Sequence, residues 1–432
     1  MSCVELLACG RISELDAIIL ARLLDRDPGN NTGLAASVAG IISDVRSRGD
    51  EALQEMAMRF DQVALDEFEI PKDRWVEAKA ALDPRVNKAL ERAAQNIWRF
   101  HEAQIPEELT LEVEPGVQLT RAWQPLGKAG VYAPGGQAAY PSSVLMGVVP
   151  AKAAQVGEVV VCSPPDATGM PASGVLAACA VGNADRLFAV GGAGAIAALT
   201  YGTKTIPSTD TVVGPGNRWV TEAKRQVAGY VLIDTPAGPS EVLVLADSTA
   251  DPYLVALELL AQAEHDADTS CVLVTTSDHI AKETEAVLSE LLEKTPRSEI
   301  CRQALKNGGA ILKADTFNEA LTFTENYAPE HLSLMTAEPT AHAKQIRAVG
   351  TVFFGSGASV AFGDYITGAN HVLPTAGRAR SFSGLSAQHF LRSYTIQEID
   401  TEGARSMASD LAVLAEEEGL PAHAAAALAR RV

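Results

Sequence analysis

Gly130-Val131-Tyr132-Ala133-Pro134-Gly135-Gly136, an apolar helical stretch from Ser143 to Ala154, and Glu158-Val159-Val160-Val161 form one strand, helix, strand succession. Two short β-branched runs joined by a helix of that length make a βαβ unit with parallel strands. The alternation recurs in Arg186 to Val190, Thr211 to Val213, Val231 to Asp234, Glu241 to Ala246, Cys271 to Thr275, Ala310 to Lys313 and Thr351 to Phe354. These runs are apolar throughout rather than at every second residue, which predicts parallel sheets covered on both faces. The expected fold class is α/β, with two Rossmann-like doubly wound βαβ domains, one inserted in the other.

Outward from this centre the texture changes. From Ile12 to about Gln104 apolar residues recur at three- and four-residue spacing, through Leu34 to Met58 and again through Trp75 to Trp98, the mark of a helical entry region. Two dense Pro/Gly segments, Tyr132 to Gly136 and Thr235-Pro236-Ala237-Gly238-Pro239-Ser240, read as hinges. The expected organisation is a helical N-terminal segment (1–26), a discontinuous main domain (27–131 and 238–386), an inserted domain (132–237) and a C-terminal tail (387–432). Strands are expected to stop after residue 386. Glu398 to Val432 is polar, then Ala-rich and helical, without a core of its own.

The chain has 432 residues, and 35 Lys+Arg against 54 Asp+Glu give a net charge of −19. Such a field repels nucleic acid and anionic membrane surfaces, which favours a small-molecule substrate. With no apolar run of membrane-spanning length and no basic leader, the expected location is cytoplasmic. Six cysteines without CxxC spacing predict reduced thiols, and Cys271 within Cys271-Val272-Leu273-Val274 reads as a buried strand residue rather than a nucleophile.

Glu330 and His331 stand together in Asn326-Tyr327-Ala328-Pro329-Glu330-His331-Leu332, a carboxylate and an imidazole behind a proline that should hold the residue before it extended. As an isolated dipeptide this is more often an exposed polar pair entering a strand than an acid/base pair. Gln262 and His265, three apart in an apolar-periodic helix, are predicted to share one face and could hold a metal, or simply finish the helix. Gly363-Asp364-Tyr365 and Gly368-Ala369-Asn370-His371 follow a strand, where an α/β sheet offers site residues at its carboxyl edge. Asp364 could there be a ligand and His371 a substrate contact, or Asp364 could cap a turn. Gly192-Ala193-Gly194-Ala195-Ile196-Ala197 and Gly214-Pro215-Gly216-Asn217 are strand-to-helix turns suited to a pyrophosphate, although no acidic residue closes the strand after the first, as a ribose-binding fingerprint requires. Glu418 and His423 add a carboxylate and an imidazole in a segment with little apolar cover.

Taken in order, GVYAPGG (Gly130 to Gly136), VGPGN (Val213 to Asn217), AGPSEVLVLAD (Ala237 to Asp247), LAQAEHD (Leu260 to Asp266), APEHL and GANHVLPT (Gly368 to Thr375) resemble the histidinol dehydrogenase family nearly end to end. The resemblance implies one Zn2+ per subunit held by Gln262, His265, Asp364 and His423, with His423 supplied by the tail of a partner in a homodimer. It also implies L-histidinol contacts from Ser240, His331, Glu418 and the zinc ligands, and NAD contacts at Tyr132 and Asn217. Gly194 stands where the family commonly has an NAD-contacting glutamine, so that side-chain bond is lost. The implied reaction is a four-electron oxidation of L-histidinol through L-histidinal to L-histidine. In it His331, neutral near pH 7, serves as base and Glu330 activates water. A related NAD-dependent alcohol dehydrogenase, such as one acting on sulfopropanediol, and a zinc hydrolase are the competing expectations.

Overall fold

The computed structural model describes residues 4–26, 32–135, 140–235, 238–355 and 357–431. Cys3, Gly136, Pro236 and Ala237 lie outside them. The strands are β1 (Ala8–Arg11), β2 (Leu109–Glu114), β3 (Val117–Pro125), β4 (Lys128–Tyr132), β5 (Glu158–Ser163), β6 (Arg186–Ala189), β7 (Thr211–Val213), β8 (Leu232–Ile233), β9 (Glu241–Ala246), β10 (Ser270–Thr275), β11 (Gly309–Lys313), β12 (His331–Met335), β13 (Thr351–Phe354) and β14 (Leu391–Ile399). They form a parallel five-stranded sheet in the order β6-β5-β4-β7-β8 and a parallel six-stranded sheet in the order β1-β11-β10-β9-β12-β13. A third sheet, β14-β3-β2, is antiparallel.

Each parallel sheet is buried on both faces, as its continuous apolar runs require. In the five-stranded sheet Val131, Val159 and Val161 face one core while Tyr132, Val160 and Cys162 face the other. Full burial of each valine contributes on the order of 1.5–3 kcal/mol. In the six-stranded sheet Val242, Val244 and Leu273 pack under the helices Pro252–Ala263, Asp278–Leu292 and Ser298–Gly308. Leu243, Leu245 and Val272 face the opposite core, which Leu23 and Phe323 complete.

Three features differ from the sequence expectation. The entry helices Thr32–Arg48, Lys72–Ala81 and Pro84–Glu102 place Val38, Trp75 and Ile97 in the cores of the five-stranded sheet, and a boundary at 131/132 would cut β4. Helical periodicity shows which face is apolar but not which sheet covers it. The N-terminal segment is not wholly helical, because β1 pairs with β11 at the edge of the six-stranded sheet. Nor do strands stop after 386: β14 pairs with β3 over nine residues, Leu391 to Ile399. Its residues are mostly exposed on both faces, so the sequence carried no two-residue periodicity to read. Beyond it, helices Thr401–Glu417 and Pro421–Leu428 pack on each other through Ala412, Ala415 and Ala424.

Candidate active site

Helix Phe317–Tyr327 ends on Ala328, which is left-handed at φ 50° and ψ 65°, with its N–H returned to the Thr324 carbonyl at 2.9 Å. The extended residue expected before Pro329 gives way to a helix cap, and Pro329 then prevents the helix from continuing. The redirected chain enters β12 with Glu330 and His331, both buried.

Glu241, the first residue of the neighbouring β9, grips the pair through its backbone. Its N–H donates to Glu330 Oε2 at 2.7 Å, and its carbonyl accepts from His331 Nδ1 at 2.9 Å. A carbonyl can only accept, so Nδ1 carries a hydrogen and Nε2 is the basic nitrogen of the neutral ring. Nδ1 also lies 3.4 Å from Glu330 Oε2, and Nε2 lies 3.6 Å from Asp364 Oδ1. Burial pushes the Glu330 carboxyl up, opposed by the charge of His331. Burial pulls His331 down, but the carboxylates of Glu330 and then Asp364 outweigh it and raise the ring to about 9. In the chain alone these carboxylates thus favour the charged ring, where the sequence reading expected a neutral base. A divalent cation on Asp364 would cancel that part of the pull.

Asp364 arrives from the far side of the sheet. After β13 the chain turns and helix Val360–Tyr365 carries Asp364 back to the strand beginnings, beside His331. Gly363 permits this, since a Cβ there would lie 2.5 Å from the Phe353 ring. The site therefore sits at the amino edge, where Glu241, His331 and Thr351 begin adjacent strands, and not at the carboxyl edge anticipated for this loop.

Asp364 Oδ2 is 3.9 Å from His265 Nε2. Gln262 is in the last turn of helix Pro252–Ala263, whereas His265 lies beyond the helix end, its N–H donating to the Gln262 carbonyl at 3.1 Å. A turn past the helix, rather than one helical face, keeps the two side by side. Burial lowers His265, with Asp364 opposing, so the ring is biased towards the neutral form a metal ligand needs. Glu258, one turn before Gln262, accepts from the Val360 N–H at 3.0 Å and ties together the helices that carry these groups.

The donor set suits a divalent cation by its chemistry. Gln262 is buried, and its unpartnered side-chain nitrogen leaves the amide unpinned at that end by any hydrogen bond within the described residues. Amide oxygen, imidazole and carboxylate are suitable ligands for a borderline ion such as Zn2+. Among the described residues no group of three His, Cys, Asp or Glu is gathered to hold a metal. One chain thus offers a fitting but incomplete set.

Of the remaining predicted residues, Ser240 is half-buried next to Glu241, its carbonyl accepting from the Ser270 N–H at 3.1 Å. His371 Nδ1 donates to the Asp364 carbonyl at 3.0 Å and its Nε2 lies 3.5 Å from Ser143 Oγ, so it bridges the two parallel sheets. Burial lowers its pKa. Glu418 and His423 are exposed, and among the described residues neither makes a side-chain hydrogen bond or ion pair with the cluster. Cys271 is buried, and burial raises its thiol far above neutrality, as its strand position implied.

At the carboxyl edge of the five-stranded sheet is a cavity of about 400 Å³ lined by Tyr132, Gly194, Asn217, Trp219, Met56 and Asp61, among others. The Tyr132 hydroxyl accepts from the Gly192 N–H at 3.1 Å, and burial raises that phenol to about 12. Asn217 caps helix Arg218–Val227, accepting from the N–H groups of Trp219 and Val220. A Cβ on Gly194 would meet Met56 Sδ at 3.1 Å and Leu53 Cδ2 at 3.3 Å, so these two side chains crowd the space next to that glycine.

Sequence reading missed Arg26, Glu241, Glu258, Asp61 and Ser143. A charge heading an otherwise apolar strand could have singled out Glu241. Asp61 and Ser143 carry no local signal.

A parallel-sheet α/β fold with a buried carboxylate–imidazole pair beside Gln262, His265 and Asp364, and a cavity over glycine-rich helix starts, has the parts of a dehydrogenase. The histidinol dehydrogenase family model matches residues 24–431, and the chain belongs to the histidinol dehydrogenase family. It is 44% identical to the histidinol dehydrogenase of Methanosarcina mazei over 421 residues, 97% of each chain. It is 47% identical to that of Haloarcula marismortui over 414 residues, 96% of this chain and 97% of that one. The crystal structure of histidinol dehydrogenase from Elizabethkingia anophelis superposes with a TM-score of 0.94 at 34% identity, covering 100% of this chain and 98% of that one. No helix among the described residues is long and apolar enough to cross a membrane.

Proposed function

We propose that the chain oxidises L-histidinol through L-histidinal to L-histidine in two NAD-dependent steps, the last of histidine biosynthesis. The observation that carries this reading is the buried Glu330–His331 pair, with His331 Nε2 facing Asp364, in a chain of this family. Gln262, His265 and Asp364, with His423 from a second copy, would hold one Zn2+ per subunit. When bound, that cation anchors and orients substrate nitrogens. His331 Nε2 takes the hydroxyl proton as the alcohol carbon gives up its hydride, and Nδ1–H stays on the Glu241 carbonyl throughout. Glu330, raised by burial, accepts the proton of the water that adds to the aldehyde, and His331 serves again in the second oxidation. Ser240, Glu418 and His371 complete the substrate contacts.

The cavity at the carboxyl edge of the five-stranded sheet is read as the NAD site, with Tyr132, the backbone at Gly194 and Asn217 as contacts. NAD supplies the hydride acceptor there. Asp61 stands in the cavity wall with its carboxyl raised by burial, and it provides the ribose-binding acid missing from the glycine-rich sequence. We read the two parallel sheets as Rossmann-like halves, and the tail as the arm that pairs two copies. Exposed Leu109, Leu111, Tyr394, Ile396, Val413 and Leu414 on the antiparallel sheet and tail helix support a homodimer.

The test is an anaerobic assay with L-histidinol and NAD, before and after chelation, counting NADH per substrate. Two NADH per histidinol, lost with the metal, is the expected result. One NADH with released aldehyde, or turnover indifferent to chelation, would refute it.

A further inference from the structure

Arg26 follows helix Ala17–Leu24 and buries its guanidinium beneath the catalytic pair. Its Nε and Nη2 clasp both oxygens of Glu241 at 2.7 and 3.1 Å. Nη2 also donates to the Tyr327 carbonyl at 2.7 Å, and Nη1 to the Leu23 carbonyl at 2.9 Å. The guanidinium carbon stands 3.5 Å from the centroid of the Tyr327 ring, whose hydroxyl is 2.8 Å from Ser270 Oγ. Glu241 Oε1 accepts in addition from the Ala376 N–H at 2.7 Å, on the loop that carries His371.

Glu241 is also the residue whose N–H holds Glu330 and whose carbonyl holds His331. Tyr327 closes the helix three residues before Glu330. One guanidinium therefore fixes both the strand that grips the pair and the chain end that delivers it. We propose that Arg26 is a positioning residue for Glu330 and His331, acting through the side chain of Glu241 and the carbonyl of Tyr327. Among the described residues no hydrogen bond or ion pair joins Arg26 to the side chain of Glu330 or His331, so its effect is on their placement. A lysine cannot substitute, because an ammonium lacks the planar fork that spans a carboxylate and a carbonyl together. The activity readout rests on the histidinol oxidation proposed above.

A buried ion pair could instead serve stability alone, and the experiment separates the two roles. Arg26→Lys and Glu241→Gln are made in the full chain and loaded with Zn2+. For each, kcat and KM are measured from L-histidinol and from L-histidinal, together with bound zinc and melting temperature. Misplacement of the pair predicts kcat about 10- to 100-fold lower for Arg26→Lys from both substrates. KM for histidinol should stay within about threefold and zinc per chain should be unchanged, since ground-state binding is not the target. Glu241→Gln, which keeps an acceptor for Ala376, should fall the same way by less, and it carries the test if Arg26→Lys does not fold. Folded variants with kcat within about twofold of wild type overturn the proposal. So does a loss confined to melting temperature or zinc content with kcat per bound zinc preserved. The imidazole nitrogen signals of His331 in histidine-labelled protein give a readout free of turnover: they shift in Arg26→Lys if the proposal holds, and unchanged signals overturn it. A wild-type enzyme inert towards histidinol would sink the functional reading alone, leaving that signal to decide the role of Arg26.

Discussion

In the five-stranded sheet the strand order reverses between β4 and β7, and the cavity opens at the carboxyl ends of those strands. In the six-stranded sheet it reverses between β9 and β12, yet the Glu330–His331 pair sits at their amino ends. Parallel βα units collect helix N-termini at one edge and helix C-termini at the other. The carboxyl edge of the first sheet presents the starts of helices Gly192–Tyr201 and Arg218–Val227, whose positive dipole ends suit an anionic pyrophosphate. The amino edge of the second presents the ends of helices Pro252–Ala263 and Phe317–Tyr327, whose carbonyl-rich termini suit a cation and a protonated imidazole. Each edge thus has the dipole sign that its proposed ligand needs.

Each edge is braced by a buried ion pair. Arg26–Glu241 fixes the amino edge. At the carboxyl edge Lys224 donates to Asp234 and, at 3.0 Å, to the Gly214 carbonyl, while Asp234 Oδ2 accepts from the Gly214 N–H at 2.8 Å. That clamp pins a glycine at φ 116°, packed so closely on the Tyr132 backbone that a Cβ would collide with it.

The largest expected effect lies at the amino edge. His331→Asn removes the proton acceptor and should lower kcat from both histidinol and histidinal by about 10²- to 10⁴-fold, with NAD binding intact. Quenching of Trp219, which lines the cavity, measures that binding. A lost quench would mean the two edges are not separable. Glu330→Gln sharpens the point, because it should spare the first oxidation more than the second. Equal loss of both would remove its water-activating role.

At the carboxyl edge Lys224→Met leaves Asp234 buried without a counter-charge, and both side chains are only 1% exposed. Stability should fall by about 3–5 kcal/mol in urea unfolding. Lys224→Met combined with Asp234→Leu should recover much of that loss, and no recovery would mean the clamp is more than a charge pair. Chelation at the amino edge should abolish turnover while leaving the Trp219 quench by NAD within about twofold. A quench lost with the metal would join the two sites thermodynamically.

The parallel strands were legible because burial on both faces leaves continuous apolar runs such as Val159 to Val161 and Cys271 to Val274. β14 was not, since its solvated faces leave no period. Gln262, His265, Asp364 and the Glu330–His331 pair were legible as candidates, but the Asp364 loop was expected at the wrong edge: helix Val360–Tyr365 runs against its strand and reverses where Asp364 emerges. Arg26 and Asp61 were invisible because each reaches its site from a distant segment, across 215 residues from Glu241 in the case of Arg26. Nothing in their neighbours differs from an ordinary helix end.

The smallest expected effect concerns Gly194, where the resemblance leads one to expect glutamine. If the missing side chain alone weakened NAD, Gly194→Gln would tighten it. Here Met56 and Leu53 crowd the position of the new Cβ, and the helix Asp50–Met56 that carries them also packs in the sheet core through Leu53. Overpacking at such a site costs roughly 1–3 kcal/mol, more than one neutral hydrogen bond of about 1 kcal/mol returns. Gly194→Gln alone should therefore lower the melting temperature and leave KM for NAD unchanged or higher. Adding Met56→Ala removes the nearer obstacle, and KM for NAD should then fall below that of Met56→Ala alone. If the single substitution tightens NAD at no cost in stability, the glycine is a plain loss of contact, and Met56 and Leu53 do not compensate for it.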